Sequence, residues 1–228
     1  MKIDYIQRTA RKTLAIVVNE KSQVIVKAPK YMSNEEILRF IKSKQKWIDT
    51  KVSEIQRQNQ IHNDLFQYRK ILICGKKYDI LHDKCAKDVS LRNGYIVMKP
   101  QISAKKEVNR LEKFLKNCCI EIVGQRLKYF SNIMQLEPKE MRLINAKHRW
   151  GTCDSERVIS FNWRLVMMPP SIIDYVVVHE LAHIMEMNHS NAFWAIVAAV
   201  LPNVKETRAV LKKSNFVLQL FREIPTTE

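Results

Sequence analysis

The 228-residue sequence holds only 4 glycines and 7 prolines. With so little glycine there is no GxGxxG and no GxxxxGK[ST] motif, which argues against a fold built on a glycine-rich phosphate loop. Hydrophobic residues make up 46% and charged residues 27%. That balance excludes a collagen-like chain and wholesale disorder. Cysteine is sparse and odd in number, five in all with no CxxC pair. Reduced thiols are expected rather than a disulfide framework. Long apolar runs are missing too: the longest, Ala192 to Leu201, is too short to span a bilayer. The start, Met1-Lys2-Ile3-Asp4-Tyr5, has no apolar stretch of the signal-peptide kind. These absences together predict a cytoplasmic protein with no membrane partner.

Acidic residues are also short of parity. Lys and Arg number 39 against 23 Asp and Glu, a net charge of +16. The excess is uneven. Residues 1–110 carry 24 basic and 11 acidic side chains, whereas residues 111–228 carry 15 and 12. The first half therefore has the charge to face a polyanion such as nucleic acid, or simply to be a solvated basic surface.

The patterning divides the chain into a β-rich first part, residues 1–103, and a second part, residues 104–228. Two alternating runs, Thr13–Val18 and Gln23–Lys27, read as a β-hairpin. Ser33 with Glu36 forms a capping box, and apolar residues at helical spacing predict a helix from Asn34 to about Asn59, with a break near Ser43. Strand patterns return around Ile71–Cys74, Tyr78–Leu81, Val89–Leu91 and Tyr95–Met98. The last two flank Asn93-Gly94, a strong hairpin signal. A helix is expected from Ala104 to about Gln135. Two strands, Arg142–Asn145 and Val158–Trp163, then bracket the loop His148–Cys153.

The segment richest in chemistry begins at Ile172, where Ser171 and Asp174 read as a helix start. It contains His179-Glu180-Leu181-Ala182-His183, an HExxH motif on a helix. Residues one turn apart share a face, with Cβ atoms about 5–6 Å apart, so both imidazoles can approach one zinc ion at about 2.0–2.1 Å. Glu180 is rotated off that face and free to act as general base. A catalytic zinc needs a third protein ligand. His189 is the first candidate, with Asn188 ending the helix in a left-handed turn and Ser190 capping the next. Glu186 and Glu206 remain alternatives. Arg149, Lys147, His148 and Tyr175 are candidate donors to an oxyanion. Trp150-Gly151-Thr152-Cys153 reads as a structural turn near the site, with Cys153 a buried thiol.

These residues resemble the YgjP-like metallopeptidases, zincin-like proteins related to the SprT-like and WLM groups. The resemblance is carried by Arg149-Trp150-Gly151-Thr152-Cys153, Phe161-Asn162-Trp163-Arg164-Leu165, Ile173-Asp174-Tyr175-Val176, the HExxH segment, Asn188-His189-Ser190 and Phe193-Trp194. Thr152 stands where the family usually has serine. The N-terminal part matches more loosely, through Ala28-Pro29, Lys44, Trp47-Ile48 and Gly75-Lys76. The resemblance implies His179, His183 and His189 as metal ligands and Glu180 as catalytic acid/base. It also implies a strand before the active-site helix, Val158–Leu165, that holds an extended peptide by its edge.

The expectation is an α+β protein: a zincin-like domain with an HExxH helix, preceded by a hairpin-rich domain with a helical insert. Its function would be zinc-dependent hydrolysis of a protein or peptide substrate. Two alternatives stay open. One is a metal-dependent nucleotide pyrophosphatase or phosphohydrolase, a label some members of the family carry. The other is a non-catalytic, nucleic-acid-associated zinc protein.

Overall fold

A computed structural model describes residues 3–19, 21–66, 70–101 and 103–221. Among these residues the fold is α+β, with three small sheets and six α-helices. The chain divides into two compact units, Met1–Gln67 and Tyr68–Glu228.

In the first unit, strands β1 (Tyr5–Thr9), β2 (Ala15–Val18) and β3 (Val24–Pro29) form a sheet in the order β1-β3-β2. β2 runs antiparallel to β3, and β1 runs parallel to it. Four of the five β1 residues are exposed, so no apolar alternation marks this strand in the sequence. Helix α1 (Asn34–Ser43) starts with a complete capping box, Glu36 N donating to Ser33 Oγ and Ser33 N to Glu36 Oε2. The helical run breaks at Lys44, and α2 (Gln45–Phe66) follows. Val24, Val26, Ala28, Ile37, Ile41 and Ile48 close the core of this unit.

The second unit begins with β4 (Lys70–Ile73), β5 (Lys76–His82), β6 (Ser90–Arg92) and β7 (Tyr95–Met98), in the order β4-β5-β7-β6. Two antiparallel hairpins are joined by the parallel pair β5–β7. The β4–β5 turn is tied to the segment before the HExxH helix: Cys74 N donates to Val166 O at 2.7 Å, and Gly75 N to Met167 O at 3.2 Å. These bonds group the sheet with the residues that follow it. Gly75 has φ +76°, and a Cβ there would lie 3.1 Å from Pro169 Cα. Glycine is the residue that meets both conditions.

Helix α3 (Ala104–Met134) buries Leu111, Leu115, Cys119, Val123, Leu127 and Phe130, a stripe at intervals of three and four. Next come β8 (Glu140–Ile144), β9 (Gly151–Cys153) and β10 (Val158–Asn162), in the order β8-β10-β9. β10 pairs parallel with β8 and antiparallel with β9. This corrects the edge-strand expectation. The strand starting at Val158 is interior, and the edge on the side of the site is β9, formed within the segment read as a loop. Only three residues long, β9 is too short to show a period. A 3-10 helix, Trp163–Met167, then leads to α4 (Pro170–Ala182).

Helix α4 is buried on nearly every side, through Ile172, Ile173, Tyr175, Val176, Val177, Val178, Glu180, Leu181 and Ala182. It starts one residue before Ser171, with Pro170 at its first turn and no side-chain cap. Proline there is pre-set for the helix and lacks the N–H that would go unbonded. Asp174 instead accepts from Arg126 of α3, Nε at 2.6 Å and Nη2 at 3.0 Å. Helices α5 (Asn191–Val200) and α6 (Val204–Lys213) complete the unit. No helix among the described residues is long and apolar enough to cross a membrane.

Candidate active site

The last turn of α4 carries His179 and Glu180, and His183 is its C-terminal cap. The helix ends there through bonds from Ile184 N, Met185 N and Glu186 N back to Leu181 and Ala182. Asn188 is not among the residues with positive φ, so the chain returns without the left-handed turn expected at that residue. Ser190 caps α5 by accepting from Phe193 N. His189 lies in the short link between the two helices.

One ring nitrogen from each of His179, His183 and His189 falls within 4.8 Å of the other two. Among the described residues this is the group of three potential donors brought together in this way; neither Glu186 nor Glu206 belongs to it. The Nε2 atoms of His179 and His189 are 3.0 Å apart. Two nitrogens on a tetrahedral zinc at 2.0–2.1 Å would lie about 3.4 Å apart, so the donor set fits such an ion with a small outward shift. His183 Nδ1 donates to the Glu186 carbonyl at 3.0 Å, which leaves Nε2 with its lone pair. The Tyr175 hydroxyl lies 3.5 Å from His179 Nδ1.

Burial favours neutral imidazoles at His179 and His183. Burial pushes the His179 pKa down to about 3, helped by His183, His189 and the Arg208 guanidinium. Burial also lowers that of His183. Uncharged rings are the form in which histidine binds a metal. Glu180 is 5% exposed, and burial lifts its carboxyl to about 8. A carboxyl near neutrality suits both proton acceptance and proton delivery. The Cys153 thiol is pushed up to about 11, by burial first and then by Glu180 and Asp154, so it stays protonated at neutral pH.

Glu180 is held by close approach to backbone. A Cβ on Gly151 would lie 2.6 Å from Glu180 Oε1, 2.7 Å from its Cγ and 2.8 Å from its Cδ. The turn glycine of the sequence is thus the surface against which the carboxylate lies. Asn162, fully buried, anchors the loop leading to it. Its Nδ2 donates to the carbonyls of Ala146 at 2.8 Å and Arg149 at 3.3 Å, and its N donates to Trp150 O at 2.7 Å. Asn162→Ala strands two carbonyls and is expected to lower stability by about 2–3 kcal/mol, read by urea unfolding; an unchanged midpoint would show the loop is held elsewhere.

Several residues stand at the site in roles that sequence spacing does not reveal. Phe193 packs on all three imidazoles, with centroids at 4.9, 4.5 and 4.8 Å from His179, His183 and His189. Trp194 stacks on His189 at 5.7 Å and 26°. Arg208 of α6 lies over Trp194 at 4.1 Å. In the sequence, Phe193 and Trp194 read as an apolar helix face and as part of the family resemblance, without a role at the site, and Arg208 reads only as one cation among 39. A cleft of about 320 Å³ opens beside Glu180 and His179. Of the four candidate oxyanion donors, His148, Arg149 and Tyr175 line it and Lys147 does not.

A family model described as YgjP-like, metallopeptidase domain, matches residues 12–214. The crystal structure of the metallopeptidase zymogen of Pyrococcus abyssi abylysin is similar at 22% identity, over 40% of this chain and 94% of that one, with a TM-score of 0.37. No curated protein matches the chain significantly.

Proposed function

The chain belongs to the YgjP-like metallopeptidase family, and from that membership we propose that it is a zinc-dependent peptidase with Glu180 as its acid/base. The observation that carries this reading is the convergence of one ring nitrogen from each of three histidines within 4.8 Å, with His179 and the buried Glu180 carboxyl lining one cleft. His179, His183 and His189 would hold the ion through ring nitrogens. When bound, zinc supplies Lewis acidity toward water and toward an acyl oxygen. Glu180 takes the proton from the attacking water and delivers it to the leaving amine nitrogen. β9 offers its free edge to an extended peptide, whose scissile bond would then lie next to Gly151 and Glu180. Of the residues that line the cleft, His148, Arg149 and Tyr175 are the candidates to donate to the developing oxyanion.

The test combines metal content with turnover. Purified wild type should carry one zinc per chain and hydrolyse casein. His189→Ala should lose the metal, whereas Glu206→Ala should retain it. Hydrolysis of nucleoside triphosphates but not casein by the same preparation would replace this reading with the phosphohydrolase one. Zinc held without hydrolysis of either would favour the non-catalytic one.

A further inference from the structure

We propose that Arg208 and Lys212 of α6, with Arg149, form an anion-binding subsite that selects peptides bearing a side-chain carboxylate next to the scissile bond. The proposal rests on the peptidase reading above and adds a substrate class to it.

The charge census of the cleft motivates it. Arg149, Arg208 and Lys212 line it, and its one acidic lining residue is the buried Glu180. Among the described residues, none of the three cations forms a salt bridge. Lys51, Lys70, Lys116, Arg126, Lys139 and Arg142 each do. Cations gathered without counter-charges are costly through mutual repulsion and are relieved by an anionic ligand.

The arrangement is built rather than scattered. Arg208, Leu211, Lys212 and Asn215 recur at helical spacing, so one face of α6 and its continuation borders the cleft. Asn215 Oδ1 accepts from Trp150 Nε1 at 2.9 Å, fastening that face to the start of β9. Arg208 rests on Trp194, which rests on His189. A guanidinium seated over an aromatic ring is held in place while its N–H groups remain able to make a two-point bond to a carboxylate. The helix dipole accounts for basic residues in the last turn of α6, Lys212 and Lys213. It does not account for Arg208 in the middle. A peptide carboxylate suits the site better than a phosphate, because β9 offers the edge of a strand and no glycine-rich loop lines the cleft.

The test uses matched fluorogenic peptides with Asp, Asn or Lys beside the bond, and zinc-loaded full-length protein. Wild type should favour Asp over Asn by about 10-fold or more in kcat/KM, mainly through KM. Arg208→Gln with Lys212→Gln should bring the ratio to within about 2-fold. Lys213→Gln, outside the cleft, should leave it intact. In parallel, the same Asp and Asn peptides are titrated against Glu180→Gln protein by fluorescence anisotropy, with tighter Asp binding that weakens with salt expected. Equal kcat/KM for Asp and Asn, a preference that survives the double substitution, or a charge-matched oligonucleotide that binds Glu180→Gln more tightly than the Asp peptide would each overturn the subsite. Absence of all cleavage by wild type would instead count against the peptidase reading, and the anisotropy titration would still decide the subsite.

Discussion

Glu180→Gln is expected to lower kcat by about 10²–10⁴-fold while the protein keeps its fold and its metal. Glutamine has nearly the shape of the carboxyl it replaces, and the carboxyl lies against Gly151 with no room for a larger group. What it lacks is a site that accepts a proton from water and returns it to an amine. The measurement is kcat on a neutral peptide with zinc content determined on the same sample. Full turnover at full zinc occupancy would remove Glu180 from the role of base.

The same substitution should change how the metal-free protein responds to pH. Burial lifts the folded Glu180 carboxyl to about 8, against 4.5 ordinarily. A group raised in the folded state holds its proton more tightly there than in the unfolded chain. Its stabilisation is complete below the unfolded value and is lost as pH rises from about 4.5 through about 8. Glutamine has no proton to release, so Glu180→Gln should remove this loss, most visibly between about pH 6.5 and 8. Below 6.5 the lowered His179 and His183 make stability rise with pH and oppose it. Melting temperatures of chelator-treated protein between pH 5 and 8 provide the check.

Gly151→Ala carries the second large expected effect, a loss of about 100-fold in kcat. Contacts of 2.6–2.8 Å between the new methyl and Glu180 force either the carboxylate or β9 to move. Displacing the carboxylate misplaces the proton acceptor, and displacing β9 moves the edge that would hold the peptide. The three atoms nearest the new methyl all belong to Glu180, so zinc content should be preserved. Gly124→Ala is the control, since its methyl would meet only Met141 Cε at 3.9 Å. Wild-type turnover in Gly151→Ala would show that the carboxylate does not depend on this close approach.

Much of the site was legible because its chemistry is local in sequence. The spacing of His179 and His183 is a property of any α-helix, one turn on one face. Ser190 as a cap and the capping box of Ser33 and Glu36 involve partners three residues apart. The Asn93-Gly94 turn likewise joins strands that are neighbours in the chain. The start of α4 was misread at the same local level. Ser171 and Asp174 have the composition of a helix start, yet proline begins the helix and Arg126, 48 residues away, takes Asp174.

The remainder depended on contacts between distant segments. Strand β1 is exposed and has no period to read, and pairing with β3 is what makes it a strand. β9 became the sheet edge because β8 took the other side of β10, a choice that no window of sequence contains. Gly151 meets Glu180 across 29 residues, Trp150 meets Asn215 across 65, and Arg208 lies over Trp194 from a separate helix. The scarcity of glycine at the outset bears on this. One of the four glycines is where the chain meets Glu180, and its role follows from which backbone the folded sheet presses against the helix. Backbone periodicity fixes which residues share a face, whereas close packing of separate elements decides what that face confronts.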